Sequence, residues 1–211
     1  MKKEWRKHEK NIYVPKGKPE LINIPPFKYF TIKGQGNPNN KAFEEYISAL
    51  YSLAYTVRMS YKWDNPPGGY YEYTVYPLEG VWDIADKTKY VEGVLDKDNL
   101  AFELMIRQPS FVTEDLASNI IELTKEKKPN KLLEQVEFKT ICEGDCVQIL
   151  HLGSYDDEPQ SFQLMKEYCT ENNIKRISMK HREIYLNDAR KTKPEKLKTV
   201  LRFQVEQEYS I

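Results

Sequence analysis

The chain has 211 residues, and 32 lysines and arginines balance 32 aspartates and glutamates. Zero formal net charge argues against a phosphate-neutralising surface, so neither a nucleic-acid partner nor a polybasic membrane anchor is expected. No run approaches the roughly 20 apolar residues of a membrane span. The basic start (Lys2, Lys3, Arg6, Lys7, Lys10) is followed by no apolar stretch of the kind a secretory signal carries.

Three cysteines make no disulfide framework. Cys142 and Cys146 flank Glu143-Gly144-Asp145, which reads as a hairpin tip, and no further zinc ligands lie nearby in sequence. His8, His151 and His181 are too scattered for a metal motif. The expectation is a reduced, cytoplasmic protein with no cofactor and no metal. Fifteen tyrosines, eight phenylalanines and three tryptophans stand out. Such a bias suits a ligand pocket, and equally a tyrosine-rich antiparallel sheet.

Residues 1–18 read as a peripheral arm. Strands are expected over Glu20–Ile24 and Lys28–Lys33, with Pro25-Pro26 between them and a turn at Gly34-Gln35-Gly36-Asn37-Pro38. That cluster lacks the third glycine of a dinucleotide fingerprint. Phe43, Tyr46, Ile47, Leu50, Leu53, Ala54 and Val57 recur at helical spacing, and the helix should stop before Pro66-Pro67-Gly68-Gly69. Tyr71–Tyr76 reads as a strand bounded by Pro77, and Asn99–Gln108, after a polar loop, as another. A helix over Glu114–Lys127, capped by Thr113, carries Leu116, Ile120 and Leu123 on one side. Strands follow at Leu133–Ile141 and Val147–Leu152. Next comes a helix over Pro159–Thr170, capped by Asp156 or Asp157, with Phe162, Met165, Tyr168 and Cys169 inward. Strands at Ile177–Leu186 and Thr199–Glu206 close the chain.

Each half thus runs strand–strand–helix–strand–strand, and short stretches match in order. Leu104-Met105-Ile106-Arg107 parallels Thr199-Val200-Leu201-Arg202, and Thr74-Val75-Tyr76 parallels Glu183-Ile184-Tyr185. We expect an α+β domain over residues 19–211 built of two βαββ repeats, about 19–110 and 131–207, joined by a helix near 113–128. Antiparallel sheets with helices outside would leave a central ligand cleft.

Glu183 is the residue of chemical interest. Period-two alternation puts Met179, His181, Glu183 and Tyr185 on one strand face, and Lys180, Arg182, Ile184 and Leu186 on the other. Ile184 and Leu186 suit the face against the helices, which leaves Glu183 on the groove face. Glutamate is depleted in strands, so a general base or buried acceptor is one reading, and a cross-strand ion pair on a solvated face is the other. Trp63, Tyr70, Tyr71, Trp82, Phe102, Tyr155 and Tyr185 are candidates for the pocket wall, with core packing the competing account of each. No phosphate loop, serine elbow or zincin motif is present.

Several segments resemble GyrI-like small-molecule-binding proteins. These are Pro19-Glu20-Leu21-Ile22 through Pro25-Pro26, Ile32-Lys33-Gly34-Gln35-Gly36-Asn37-Pro38-Asn39, Tyr76-Pro77-Leu78-Glu79-Gly80-Val81-Trp82, and Met105-Ile106-Arg107-Gln108-Pro109 with Phe111-Val112-Thr113. The close, His181-Arg182-Glu183-Ile184-Tyr185-Leu186-Asn187-Asp188 and then Arg190-Lys191-Thr192 with Pro194 to Thr199, is the most specific. The resemblance implies an SHS2-like duplication whose central pocket holds hydrophobic, often cationic or aromatic compounds, with Glu183 as the pocket acid. It also implies a stand-alone member rather than the effector part of a transcription regulator, because the segment before the first strand is short for a helix-turn-helix domain.

A subset with this character hydrolyses cyclopropane-bearing alkylating natural products inside an aromatic cage. By that likeness Glu183 is the base and Tyr71 or His181 the proton donor. Trp63, Tyr71, Trp82, Phe102 and Tyr185 form the cage, and Tyr70 and Tyr155 are further ligand contacts. A passive drug-binding protein of the same fold is the alternative, and a haem or tetrapyrrole carrier using His151 or His181 is a third. The expected partner is a hydrophobic aromatic small molecule, and the expected state a monomer or weak homodimer.

Overall fold

A computed structural model describes residues 2–89 and 96–207; Met1 and 208–211, the ends of the expected arm and domain, lie outside them. The chain divides into two compact units, Met1–Glu4 with Phe27–Ile141 and Trp5–Pro26 with Cys142–Ile211. Among the described residues no helix is long and apolar enough to cross a membrane.

The first unit holds strands β2 (Phe27–Gln35), β3 (Leu78–Ile84), β4 (Leu100–Gln108) and β5 (Glu137–Ile141), and helices α3 (Lys41–Met59) and α4 (Glu114–Lys127). Its strands run in the order β3-β4-β2-β5, with antiparallel pairings. Helix α3 buries Ala49, Leu50, Leu53, Ala54 and Val57, the stripe that the spacing predicts. Thr113 caps α4 as expected, its side chain accepting from the Leu116 N–H. The face of α4 that sinks deepest is Ala117, Ile120 and Thr124, with Leu116 and Leu123 only half-buried beside it. Gly34 is required by packing, since a Cβ there would collide with the buried Phe102 ring and press on Tyr46.

Two expectations fail here. Tyr71–Tyr76 forms no strand; it is extended, with a single parallel bridge between Tyr73 and Lys3. The strand lies beyond Pro77 instead, where Leu78, Gly80 and Trp82 pair with Ile106, Leu104 and Phe102. Proline sits well just before a strand, where its missing N–H disturbs no ladder. Thr74-Val75-Tyr76 is therefore not the counterpart of Glu183-Ile184-Tyr185. The second correction concerns Leu133–Ile141, whose first part is a 3₁₀ turn at Lys131–Gln135.

The second unit holds β1 (Glu20–Ile24), β6 (Gly144–Leu152), β7 (Ile174–Arg176), β8 (His181–Tyr185), β9 (Lys198–Gln207) and α5 (Glu158–Glu171). Its order is β1-β6-β9-β8, with β7 on the far end of β9. It repeats the first unit's plan, because β1-β6-β9-β8 matches β5-β2-β4-β3. In each case the outermost strand comes from the other half of the sequence: β1 pairs with β6, and β5 with β2. That pairing corrects the hairpin expected at Glu143-Gly144-Asp145, since among the described residues β5 and β6 do not pair with each other. Cys142 and Cys146 beside it are free thiols.

The expected strand over Ile177–Leu186 shortens to β8, His181–Tyr185; β7 ends at Arg176, before the expected start, and residues 177–180 form no strand. The gap is held by Arg176, whose guanidinium donates to the Met179 carbonyl at 2.6 Å and the Lys180 carbonyl at 3.1 Å. The first residues are no loose arm either. Two short helices, α1 (Trp5–His8) and α2 (Lys10–Tyr13), bury Trp5, Ile12 and Tyr13 in the second unit. Arg6 donates to the Leu186 carbonyl.

Those residues are fixed by a buried charge network. Glu143 Oε2 accepts from Arg202 at 3.0 Å, and its Oε1 lies 2.9 Å from Arg182 Nε. Arg202 also donates to the Ile12 carbonyl at 2.8 Å and to Gln148 Oε1 at 2.9 Å. Gln148 in turn donates to the Asn11 carbonyl at 2.6 Å. Burial works against the Glu143 charge, but Arg182 and Arg202 outweigh it and hold the carboxyl below its ordinary range. A depressed acid contributes stability above its unfolded pKa, about 4.3, and loses it as pH falls through the folded value. Glu143→Gln is expected to cost about 3–5 kcal/mol at neutral pH in urea unfolding. The loss should shrink as pH falls from about 4 toward the lower folded value, where the wild type also gives up the charge.

Candidate functional site

Side chains of residues paired across an antiparallel ladder point to the same face. Glu183 pairs with Leu201, which packs with Val147, Ile149, Met165 and Cys169 in the core under α5. His181, Glu183 and Tyr185 do share a face, as alternation requires, but it is the helix face. The expectation that Ile184 and Leu186 pack against the helices is thereby overturned. Ile184 pairs with Val200, and Arg182 with Arg202, on the opposite face. Both faces of β8 are buried, so apolarity does not distinguish them. The buried guanidinium pair and Glu143 decide the orientation.

On the helix face Glu183 is 9% exposed. Tyr185 donates its hydroxyl to Glu183 Oε2 at 2.7 Å, and His181 Nε2 lies 3.0 Å from Oε1. Both partners come from the same strand, two residues to either side. Phe162 of α5 meets the His181 ring edge-on at 4.8 Å, and Tyr155 meets Tyr185 in the same way at 6.0 Å. Tyr155 belongs to a 3₁₀ turn, Tyr155–Asp157, leading into α5. Burial, then the charges of Glu183, Glu158 and Asp188, push its phenol above the ordinary value, so it remains a donor.

A second carboxyl joins this cluster. Glu158, the first residue of α5, is 6% exposed, and its Oε1 is buried without a hydrogen-bond partner among the described residues. Burial first, then the charges of Glu183 and Asp156, push it up to about 10. Sequence reading passed over Glu158, because an acidic residue in a first helical turn suits the helix dipole on any surface. The signal that was available is its spacing of one turn from Phe162, which puts both on one stripe of α5. Asp157 stands at the N-cap position but accepts from the Ser154 hydroxyl, so the expected side-chain cap is not made.

The structure thus brings Glu183, His181, Tyr155 and Tyr185 together in the second unit. Trp63, Tyr70, Tyr71, Trp82 and Phe102 lie in the first. Trp82 and Phe102 are core residues, packed with Phe43 at 5.9 and 5.0 Å beneath α3. Tyr71 accepts from the Ser110 N–H at 3.4 Å, contacts Phe111 edge-on and carries Lys3 over its ring. Tyr70 lines a hollow of about 220 Å³ with Arg58, Tyr61 and Glu72. Half of its lining is polar, and Arg58 is bound to Tyr70 and Glu72, which suits a flat apolar ligand poorly. Trp63 is half-buried after the 3₁₀ turn at Ser60–Lys62. His151 engages both ring nitrogens, with the Ser161 hydroxyl at 2.8 Å and the Ser154 carbonyl at 2.9 Å, so neither is free for a haem iron.

Residues 17–206 match the GyrI-like small-molecule-binding domain. The chain belongs to that family. As a GyrI-like domain it is similar to a hydrolase from Listeria innocua, at 32% identity and a TM-score of 0.86, covering 97% of this chain and 100% of that one. A second Listeria innocua hydrolase is 33% identical, with a TM-score of 0.88 and coverage of 98% and 100%. The C-terminal domain of EcmrR, 15% identical at a TM-score of 0.53 over 90% of this chain and 98% of that one, shares the fold. Among curated proteins none matches.

The GyrI-like domain gives Glu158 a measurable signature. An acid with a raised folded pKa makes its full contribution to stability below its unfolded value of about 4.3, and stability declines as pH rises toward the folded value. Glu158→Gln should therefore match wild type in urea unfolding at about pH 4 and exceed it at pH 8, the gap widening with pH.

Proposed function

We propose that this GyrI-like domain binds flat hydrophobic xenobiotics and hydrolyses cyclopropane-bearing alkylating agents, with Glu183 as the base that activates water. The observation that carries this reading is the Glu183 carboxylate itself. It is nearly buried beside aromatic rings, with each oxygen engaged by one neighbour on its own strand. A base so placed is oriented by its partners and shielded from bulk water, which favours proton abstraction from a single held water. The similarity to two hydrolases over almost the whole chain supports a hydrolytic reading.

A cyclopropane fused to a dienone is a strained electrophile that opens to a stable phenol. Water attacks a ring carbon and gives a proton to Glu183. The ring C–C bond breaks, and its electron pair moves through the dienone to the ketone oxygen. Tyr155 and Tyr185 supply ring surface for a planar ligand, at about 0.5–1.5 kcal/mol per aromatic pair. His181 and Tyr185 fix the carboxylate and help hold its charge.

Incubation with a cyclopropapyrroloindole-type alkylator should yield a product one water heavier, read by mass spectrometry. Glu183→Gln should lower turnover by about 100-fold or more while retaining most of the affinity measured by tryptophan quenching. Equal turnover by wild type and variant would contradict the role of Glu183.

A further inference from the structure

Hydrolysis of this kind leaves an oxygen that must take up a proton, and none of the partners described so far is committed to supplying it. Tyr185 already donates to Glu183, and His181 faces the same carboxylate. Glu158 is differently placed. It opens α5 one turn ahead of Phe162, the residue that rests on His181, so its side chain lies on the stripe turned to the Glu183 cluster. Its Oε1 is buried and has no hydrogen-bond partner among the described residues. A buried polar atom left without a partner is costly, and folds retain one where a ligand or a reaction supplies the partner.

We infer that Glu158 is the second working carboxyl of the Glu183 site, donating a hydrogen bond and then its proton to an oxygen atom of the bound ligand. The inference rests on the hydrolytic reading for the proton-transfer step, while hydrogen-bond donation stands without it. Two carboxyls in one dry site cannot both ionise cheaply, so one takes the charge and the other keeps a proton. Glu183, with two hydrogen-bonding neighbours, is the one suited to charge. The groups acting on Glu158, namely Glu183 on β8 and Asp156 in the preceding turn, are acidic, and both disfavour its ionisation. On β6, His151 has its ring nitrogens taken by Ser161 and Ser154. Tyr155 feels the Glu158 charge only as a further reason to stay protonated.

The steps balance. Water's O–H bond breaks toward Glu183, a C–O bond forms at the ring carbon, and the ring C–C bond opens. The developing phenolate takes the Glu158 proton. Glu183 is then neutral and Glu158 ionised, and proton exchange with solvent restores both.

The test pairs a readout that needs no turnover with one that does. In infrared difference spectra the free protein should show a protonated carboxyl band at pH 8 that is missing in Glu158→Gln. Adding a cyclopropane-free dienone should shift that band. In kinetics with the cyclopropane alkylator, Glu158→Gln should lower kcat by about 100-fold with little change in KM, and should flatten the alkaline fall of the wild-type pH profile. A band that persists in Glu158→Gln, or a variant with the wild-type kcat and alkaline limb, overturns the role. Failure of the hydrolytic reading looks different: the wild type gives no hydrated product, yet the band shifts with the dienone.

Discussion

The second unit is organised around one buried negative charge. Glu143 lies between Arg182 and Arg202, and the same Arg202 guanidinium reaches Gln148 and the backbone of Ile12. Removing Glu143 leaves two buried guanidiniums without their carboxylate, so the network depends on that residue most. Its consequence for function comes from strand geometry. Arg182 and Glu183 are adjacent in β8, and adjacent side chains of a strand point to opposite faces. Pinning Arg182 to Glu143 on one face directs Glu183 to the other, under α5, where His181 and Tyr185 receive it.

The network also explains the first residues of the unit. A basic, polar opening looks like a solvated arm, yet its backbone carbonyls at Asn11 and Ile12 are the acceptors that Gln148 and Arg202 need. Trp5 and Tyr13, tilted against each other with ring centres 5.4 Å apart, cover apolar surface beside them. Neither role has a periodic signature, because acceptance by a carbonyl does not depend on which side chain the residue carries.

What could be read from the sequence follows the same physics. Helices α3, α4 and α5 announce themselves through apolar spacing and the Thr113 cap, since one face of each is dry and the other wet. Strands β1, β2, β4 and β6 meet proline or glycine breaks, and β9 shows in its apolar run from Thr199 to Val205. Strand β3 was hidden by its acidic residues, and the break between β7 and β8 by exposed Ile177 and Met179, which imitate a continuing strand. The partners of β1 and β5 depend on pairing between distant segments, which local pattern does not encode. For the site, Glu183 was visible as an odd glutamate in a strong strand, and its neighbours His181 and Tyr185 by alternation. Its face was not, because β8 is buried on both sides. Trp82 and Phe102 illustrate the complementary error: an aromatic residue looks the same in a pocket wall as in a core.

The central claim is that Glu183 acts as a base toward water and not as a nucleophile toward the ligand. A single turnover of the cyclopropane alkylator in ¹⁸O-water, with enzyme in excess, separates the two. The account predicts heavy oxygen in the ring-opened product and none in the peptide that carries Glu183. Unlabelled product, with the label recovered in the Glu183 carboxylate, would contradict it.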